Sequence, residues 1–318
     1  MYDVTATGEL LIDFTRNGLS EQNNRIYEAN PGGAPCNVLA MLGKLGYKTA
    51  FIGKVGEDEF GKLLKNTITE QKIDAAGLIL DPNAKTTLAF VDNDETGDRS
   101  FSFYRKPGAD MMLREDEVNY ELIDNCRIFH FGSLSMTDEP VRSATYAMID
   151  YAKKKNKIIS FDPNLRPPLW ESEELAAKQI WYGIEKCDIL KIADNEIEWL
   201  TGTDDYDKGV EIIRQRTHAK LINVTLGPNG SIAYYGDHKV FMEPYLNENT
   251  IETTGAGDTF GACALHAVLK NGLDNMTEED LKEMLQFANA AASLVTTKKG
   301  ALRVMPEEKE IKKLTNKY

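Results

Sequence analysis

Between Glu252 and Leu269 the chain reads ETTGAGDTFGACALHAVL: a glutamate, two threonines, a Gly-Ala-Gly turn, one aspartate and an almost uncharged helical run. Gly255, Ala256 and Gly257 carry no bulky side chain, so their N–H groups can approach a ligand closely. They open a helix, and the positive end of a helix favours phosphate oxygens. Asp258, beside that anion hole, is placed to accept the proton of an attacking hydroxyl. An ordinary Asp, at about 3.9, is a weak base. Phosphoryl transfer can use one because its transition state is loose, so positioning and charge neutralisation dominate. On these residues alone, an acidic residue complementing a helix dipole explains Asp258 equally well. No GxxxxGK[ST] sequence is present, which excludes a P-loop kinase.

Other residues with chemical potential are spread along the chain. PGGAPCN holds Gly32, Gly33 and Asn37, a glycine turn entering a helix. Asp13 closes the first strand. Phe101, Phe103 and Arg105 alternate on one strand and should share a face. FDPNLR puts Asp162, Asn164 and Arg166 just past a strand, and VTLGPNG puts Thr225, Gly227 and Gly230 at a strand end and tight turn. His130, His218, His238 and His266 show no ligand spacing, and the four separated cysteines form no CxxC pair, so neither a metal cluster nor a disulfide framework is expected. With Lys+Arg 37 against Asp+Glu 50, the net charge of -13 argues against nucleic-acid and anionic-membrane partners.

Positioning these residues falls to alternating elements. VTATGELLIDF, KTAFIGKVG, RIFHFGSL, KIISFDPN, CDILKIA and KLINVTLG read as strands. APCNVLAMLGKLG, DEFGKLLKNTITEQ, 138–155, 259–270 and 278–295 read as helices, the last with a Thr277–Asp280 capping box. Such alternation implies an α/β fold, a doubly wound, mainly parallel sheet with helices on both faces. Two segments break it: 13–31, polar and aperiodic, and 86–105, two alternating strands around DNDETG. They predict a small β lid, leaving 1–12, 32–85 and 106–318 as the α/β domain. No apolar run reaches membrane length and MYDVTATGEL carries no secretory pattern, so a cytoplasmic chain is expected.

Two motifs in order, PGGAPCNVLAMLGKLG and ETTGAGDTF about 220 residues apart, resemble the signatures of the ribokinase-like (PfkB) carbohydrate kinases. Within that family the order of GELLIDF, FYRKPGADMML, FHFGSLS, FDPNLRPPLW, VTLGPNG and TTKKGALRVMP is similar to that of fructokinases. The resemblance implies Asp258 as catalytic base and Gly255, Ala256 and Gly257 as anion hole. It implies that Asp13, Gly32, Gly33, Asn37, Phe101, Phe103, Arg105 and Arg166 meet the sugar. Asn164, Lys191, Glu196, Thr225, Gly227, Gly230 and Asn289 would meet ATP. Glu196 would organise Mg²⁺ through water, while Glu252, Thr254 and Gly300 would mark a monovalent cation site for K⁺. A homodimer through the lid is also implied.

Two positions depart from the family pattern. Ala193 replaces the Asn of the NxxE motif, and Glu252 replaces the Asp that opens DTTGAGD. The expected activity is transfer of the ATP γ-phosphoryl group to the primary hydroxyl of a ketohexose, D-fructose to fructose 6-phosphate. A 2-keto-3-deoxygluconate kinase is the nearest alternative; its tyrosine is Phe103 here. A nucleoside kinase and a non-catalytic sugar or nucleotide sensor are the others.

Overall fold

The computed structural model describes residues 1–93 and 99–316; the side chains of residues 92, 93 and 99–101 fall outside that description. The chain begins with β1 (Tyr2–Thr7), β2 (Leu11–Leu19), β3 (Arg25–Gly32), α1 (Ala34–Lys44), β4 (Thr49–Gly56), α2 (Glu59–Glu70) and β5 (Ile73–Asp81). Next come β6 (Leu88–Asn93), β7 (Arg99–Tyr104), α3 (Glu121–Asp124), β8 (Cys126–Gly132), α4 (Val141–Lys154), β9 (Ile158–Asp162), α5 (Glu173–Lys186), β10 (Ile189–Ala193) and α6 (Asp194–Thr201). Then α7 (Tyr206–Arg214), β11 (Leu221–Thr225), β12 (Ser231–Tyr235), β13 (His238–Met242), α8 (Ala256–Asn271), α9 (Glu278–Val295) and α10 (Glu308–Thr315) complete it.

Nine strands form one sheet in the order β13-β12-β11-β10-β9-β8-β1-β4-β5. From β11 to β5 every pairing is parallel, and the β12–β13 hairpin adds two antiparallel strands at one edge. Parallel strands buried on both faces need helices on both sides. One face packs Leu39, Met41, Leu265 and Leu285 of α1, α8 and α9; the other packs Phe129, Phe131 and Phe161 against α4 and α5. Each fully buried side chain of this size contributes about 1.5–3 kcal/mol. Helix α9 starts at the expected capping box, Thr277 and Asp280 exchanging hydrogen bonds.

A separate four-stranded sheet, β3-β2-β6-β7, stands beside the large one, as the two interruptions of the alternation suggest. The expected single strand VTATGELLIDF is corrected: it splits at Gly8-Glu9-Leu10 into β1 of the large sheet and β2 of the small one. Gly8 has φ +148, and a Cβ there would come within 2.6 Å of Pro35 Cγ, so the chain turns where only glycine fits. Asp13 therefore sits inside β2, not at the end of the first strand. Of the expected DNDETG turn, residues 94–97 lie outside the described residues.

Candidate active site

Where the large sheet's strands end, its loops and the small sheet enclose a cleft of about 220 Å³. Ligands of doubly wound sheets bind at this carboxyl edge. The glycine turn forms one wall. Gly255 is the residue before α8, with φ +78, and a Cβ there would stand 2.6 Å from Ala301 Cβ. Gly257 is pressed against Lys191, whose Nζ would lie 3.1 Å from any added Cβ. Gly255 is thus required by its conformation and its contact with Ala301, while Gly257 lets Lys191 approach closely.

Asp258 lies in the first turn of α8, buried, and accepts a 2.7 Å hydrogen bond from Asn37 Nδ2. Burial pushes its carboxyl up to about 6, and Asp162 adds to the rise; the Asn37 bond and the charges of Lys191 and Arg166 oppose it. At neutral pH the group is mostly ionised yet a stronger base than an ordinary Asp. Asn37 Oδ1 is buried with no hydrogen-bond partner among the described residues. Beneath the turn, Lys191 Nζ sits 3.1 Å and 3.2 Å from the two Asp162 oxygens. Burial alone would depress that ammonium, but Asp162, Glu196 and Asp258 outweigh it and raise it.

From the small sheet, Asp13, Val91 and Phe103 line the cleft. Burial and then the Glu252 charge push Asp13 up to about 7, with Asp258 adding and Arg166 opposing. Gly32 leaves room for it: a Cβ there would meet Asp13 Oδ2 at 2.5 Å. Gly33, Asn164, Arg166, Glu252 and Thr254 also line the cleft. Asn164 was expected on the nucleotide side and stands on the same wall as Arg166. The side chain of Phe101 lies outside the described residues.

Arg105 does not line the cleft beside Phe103. Strand β7 ends at Tyr104, and the Arg105 fork is consumed in the core. Its Nε donates to Asp110 at 2.8 Å, Nη1 to Thr137 at 3.0 Å and Nη2 to the Leu134 carbonyl at 2.7 Å. It is absent from the cleft wall. Glu9, which the sequence reading passed over, lines the cleft instead and accepts the Ala34 N–H at 2.8 Å. Burial drives its carboxyl up to about 7. Its signal was the alternation Glu9-Leu11-Asp13, all three of which reach the cleft.

On the far side of the same turn lies a more apolar pocket of about 360 Å³, walled by Gly227, Pro228, Gly230, Tyr245, Ala256 and Asn289. Thr253 borders both spaces, and Gly255 and Ala256 face one each. Asn289 accepts from Ser231 Oγ at 2.8 Å and donates to the Met242 and Glu243 carbonyls at 3.2 and 3.0 Å, which makes it a fixed wall. Thr225 ends β11 just before this pocket's turn. Glu196 lies near the start of α6, buried, with one oxygen on the Leu165 N–H (2.7 Å) and the other on the Ala193 N–H (2.8 Å). Burial raises its carboxyl, against the pull of Lys191. The four cysteines are buried and unpaired, and among the described residues no cluster of His, Cys, Asp or Glu could hold a metal ion by itself.

Residues 1–308 match the model of the pfkB family carbohydrate kinases. The chain belongs to that family. This kinase is 42% identical over 309 residues to a probable fructokinase-2 of Arabidopsis thaliana, covering 96% of this chain and 94% of the relative. It is 40% identical over 316 residues to fructokinase-1 of Zea mays, covering 99% and 98%. Among solved structures it resembles a Xylella fastidiosa fructokinase with bound ATP, with a TM-score of 0.90, 29% identity and coverage of 100% and 99%. It also resembles a Vibrio cholerae fructokinase double mutant with fructose, ADP and potassium ion bound, with a TM-score of 0.88, 30% identity and coverage of 99% and 98%. No described helix of the kinase is long and apolar enough to cross a membrane.

Proposed function

We propose that this kinase transfers the γ-phosphoryl group of ATP to the 6-hydroxyl of D-fructose. The observation that carries the reading is the shared wall: the 253–257 turn separates a polar cleft from an apolar pocket, with Asp258 on the cleft side. ATP lays its adenine in the apolar pocket and its phosphates along the turn. The sugar docks on Asp13 and Asn37, and the Asp258 carboxylate accepts the hydroxyl proton as the phosphoryl group passes the turn's N–H groups. The small sheet acts as a lid that excludes water.

A neutral ketose fits the cleft better than a sugar acid. Glu9, Asp13, Glu252 and Asp258 present four carboxylates to it, against the single guanidinium of Arg166. Mg²⁺ would arrive with ATP and neutralise its phosphates. Glu196 suits a water-mediated role, because a backbone N–H already occupies each of its oxygens. Exposed Leu19, Ile26 and Tyr104 on the small sheet support a homodimer through that sheet; a monomer by sedimentation would remove that part.

The test is coupled ADP release with fructose, tagatose, ribose, 2-keto-3-deoxygluconate and adenosine. Fructose should give the highest kcat/KM. A sugar acid preferred over every neutral sugar would refute the assignment, and ATP binding with no turnover on any sugar would favour a sensor.

A further inference from the structure

Glu252 stands where the family pattern has an aspartate, and its surroundings differ from those of a cation ligand. One of its oxygens accepts the Thr254 hydroxyl, and the other accepts the Gly300 N–H at 3.1 Å. Monovalent and divalent hard cations are held by oxygens, from carboxylates, carbonyls and water. Here the 299–301 loop turns a backbone donor towards the carboxylate. The three residues expected to surround K⁺ are brought together, but by hydrogen bonds to one another. Each Glu252 oxygen is thus already engaged by a donor, and one of those donors is a backbone N–H, which cannot ligate a cation.

The same contacts place Glu252 at a junction. Its own N–H and that of Ile251 are tied to the Thr296 carbonyl at the end of α9, at 3.1 and 2.9 Å. Gly300, which it grips, has φ +79, and a Cβ there would lie 3.3 Å from Asn30 Oδ1 of β3. The neighbouring Lys299 donates to Asn17 Oδ1 of β2 at 2.8 Å. Ala301, next in the loop, packs against Gly255, so the loop touches the glycine turn and the small sheet at once. A cation at this place would draw the loop and the turn together by shared oxygens. Glutamate, one methylene longer than aspartate, reaches the loop directly.

We propose that Glu252 is a built-in latch that replaces the monovalent cation, joining the catalytic turn to the 299–301 loop and through it to the small sheet. Glu252 is thereby a positioning residue, and the kinase works without K⁺. The test compares choline chloride with KCl at equal ionic strength, on wild type and on Glu252→Asp. For wild type, kcat should change less than about twofold and the melting temperature should not move with K⁺. For Glu252→Asp, too short to hold Thr254 and Gly300 together, kcat in choline chloride should fall by about tenfold or more, as expected when a transition-state donor is misplaced. Calorimetric ATP binding by that variant confirms that it is folded. K⁺ activation of wild type, or its thermal stabilisation by K⁺ over choline, would overturn the latch; so would a Glu252→Asp enzyme as active as wild type without K⁺. The melting readout does not depend on which sugar is the substrate.

Discussion

At the scale of single residues, the cleft stores unfavourable charge. Asp13 and Glu9 are both pushed to about 7 by burial, and Asp258 to about 6. A carboxyl whose folded value lies above its ordinary one favours folding while protonated. The cost therefore appears as pH rises through the ordinary range near about 4 and is complete above the folded value. Asp13→Asn removes that cost along with an acceptor for sugar hydroxyls. The apo variant should melt higher than wild type at pH 8, with the difference shrinking towards pH 4, while fructose affinity falls by about tenfold or more. Equal melting at pH 8, measured by calorimetry, would mean that Asp13 carries no such burden. The type and place of Asp258 were readable from ETTGAGD alone. Its partners were not, because Asn37 lies 221 residues away and Lys191 reaches Gly257 only through the sheet register. The Arg105–Asp110 pair was not legible either, because Asp110 lies in a short helical turn that gives no periodic signal.

At the scale of elements, the glycines of the turn and the helix behind it have separable roles. Gly255 combines a positive φ with contact against Ala301, whereas a Cβ on Gly261, further along α8, meets nothing within 4 Å. Gly255→Ala should therefore cost activity by about tenfold or more through strain in the turn. Gly261→Ala should stabilise the fold by up to about 1 kcal/mol, the helix-propensity gain, with turnover retained. Denaturation midpoints and kcat for the two variants check both; similar losses from each would show that the turn is not specially constrained. Helix α9 was legible because its capping box and apolar period agree. The β1–β2 junction was not, because Val4, Ala6, Leu10 and Ile12 are all buried and one apolar run continues through two sheets. Only Gly8 marked the break.

At the scale of the whole molecule, the alternation of strands and helices foretold the large sheet, and the two irregular segments foretold the small one. Composition could not show how they meet. The 299–301 loop is tied by polar contacts to Asn17 of β2, 282 residues away in sequence, and to Glu252, 48 residues away. Two pockets on either side of one turn suit the proposed phosphoryl transfer between two bound molecules. The most direct measurement is ADP release with fructose and ATP at pH 7.5 for wild type and Asp258→Asn, with fructose binding followed by calorimetry. Wild type should turn over, and the variant should bind fructose within a few-fold of wild type but lose about 10²–10⁴ in kcat. Near-normal turnover by Asp258→Asn would contradict the assignment of the base.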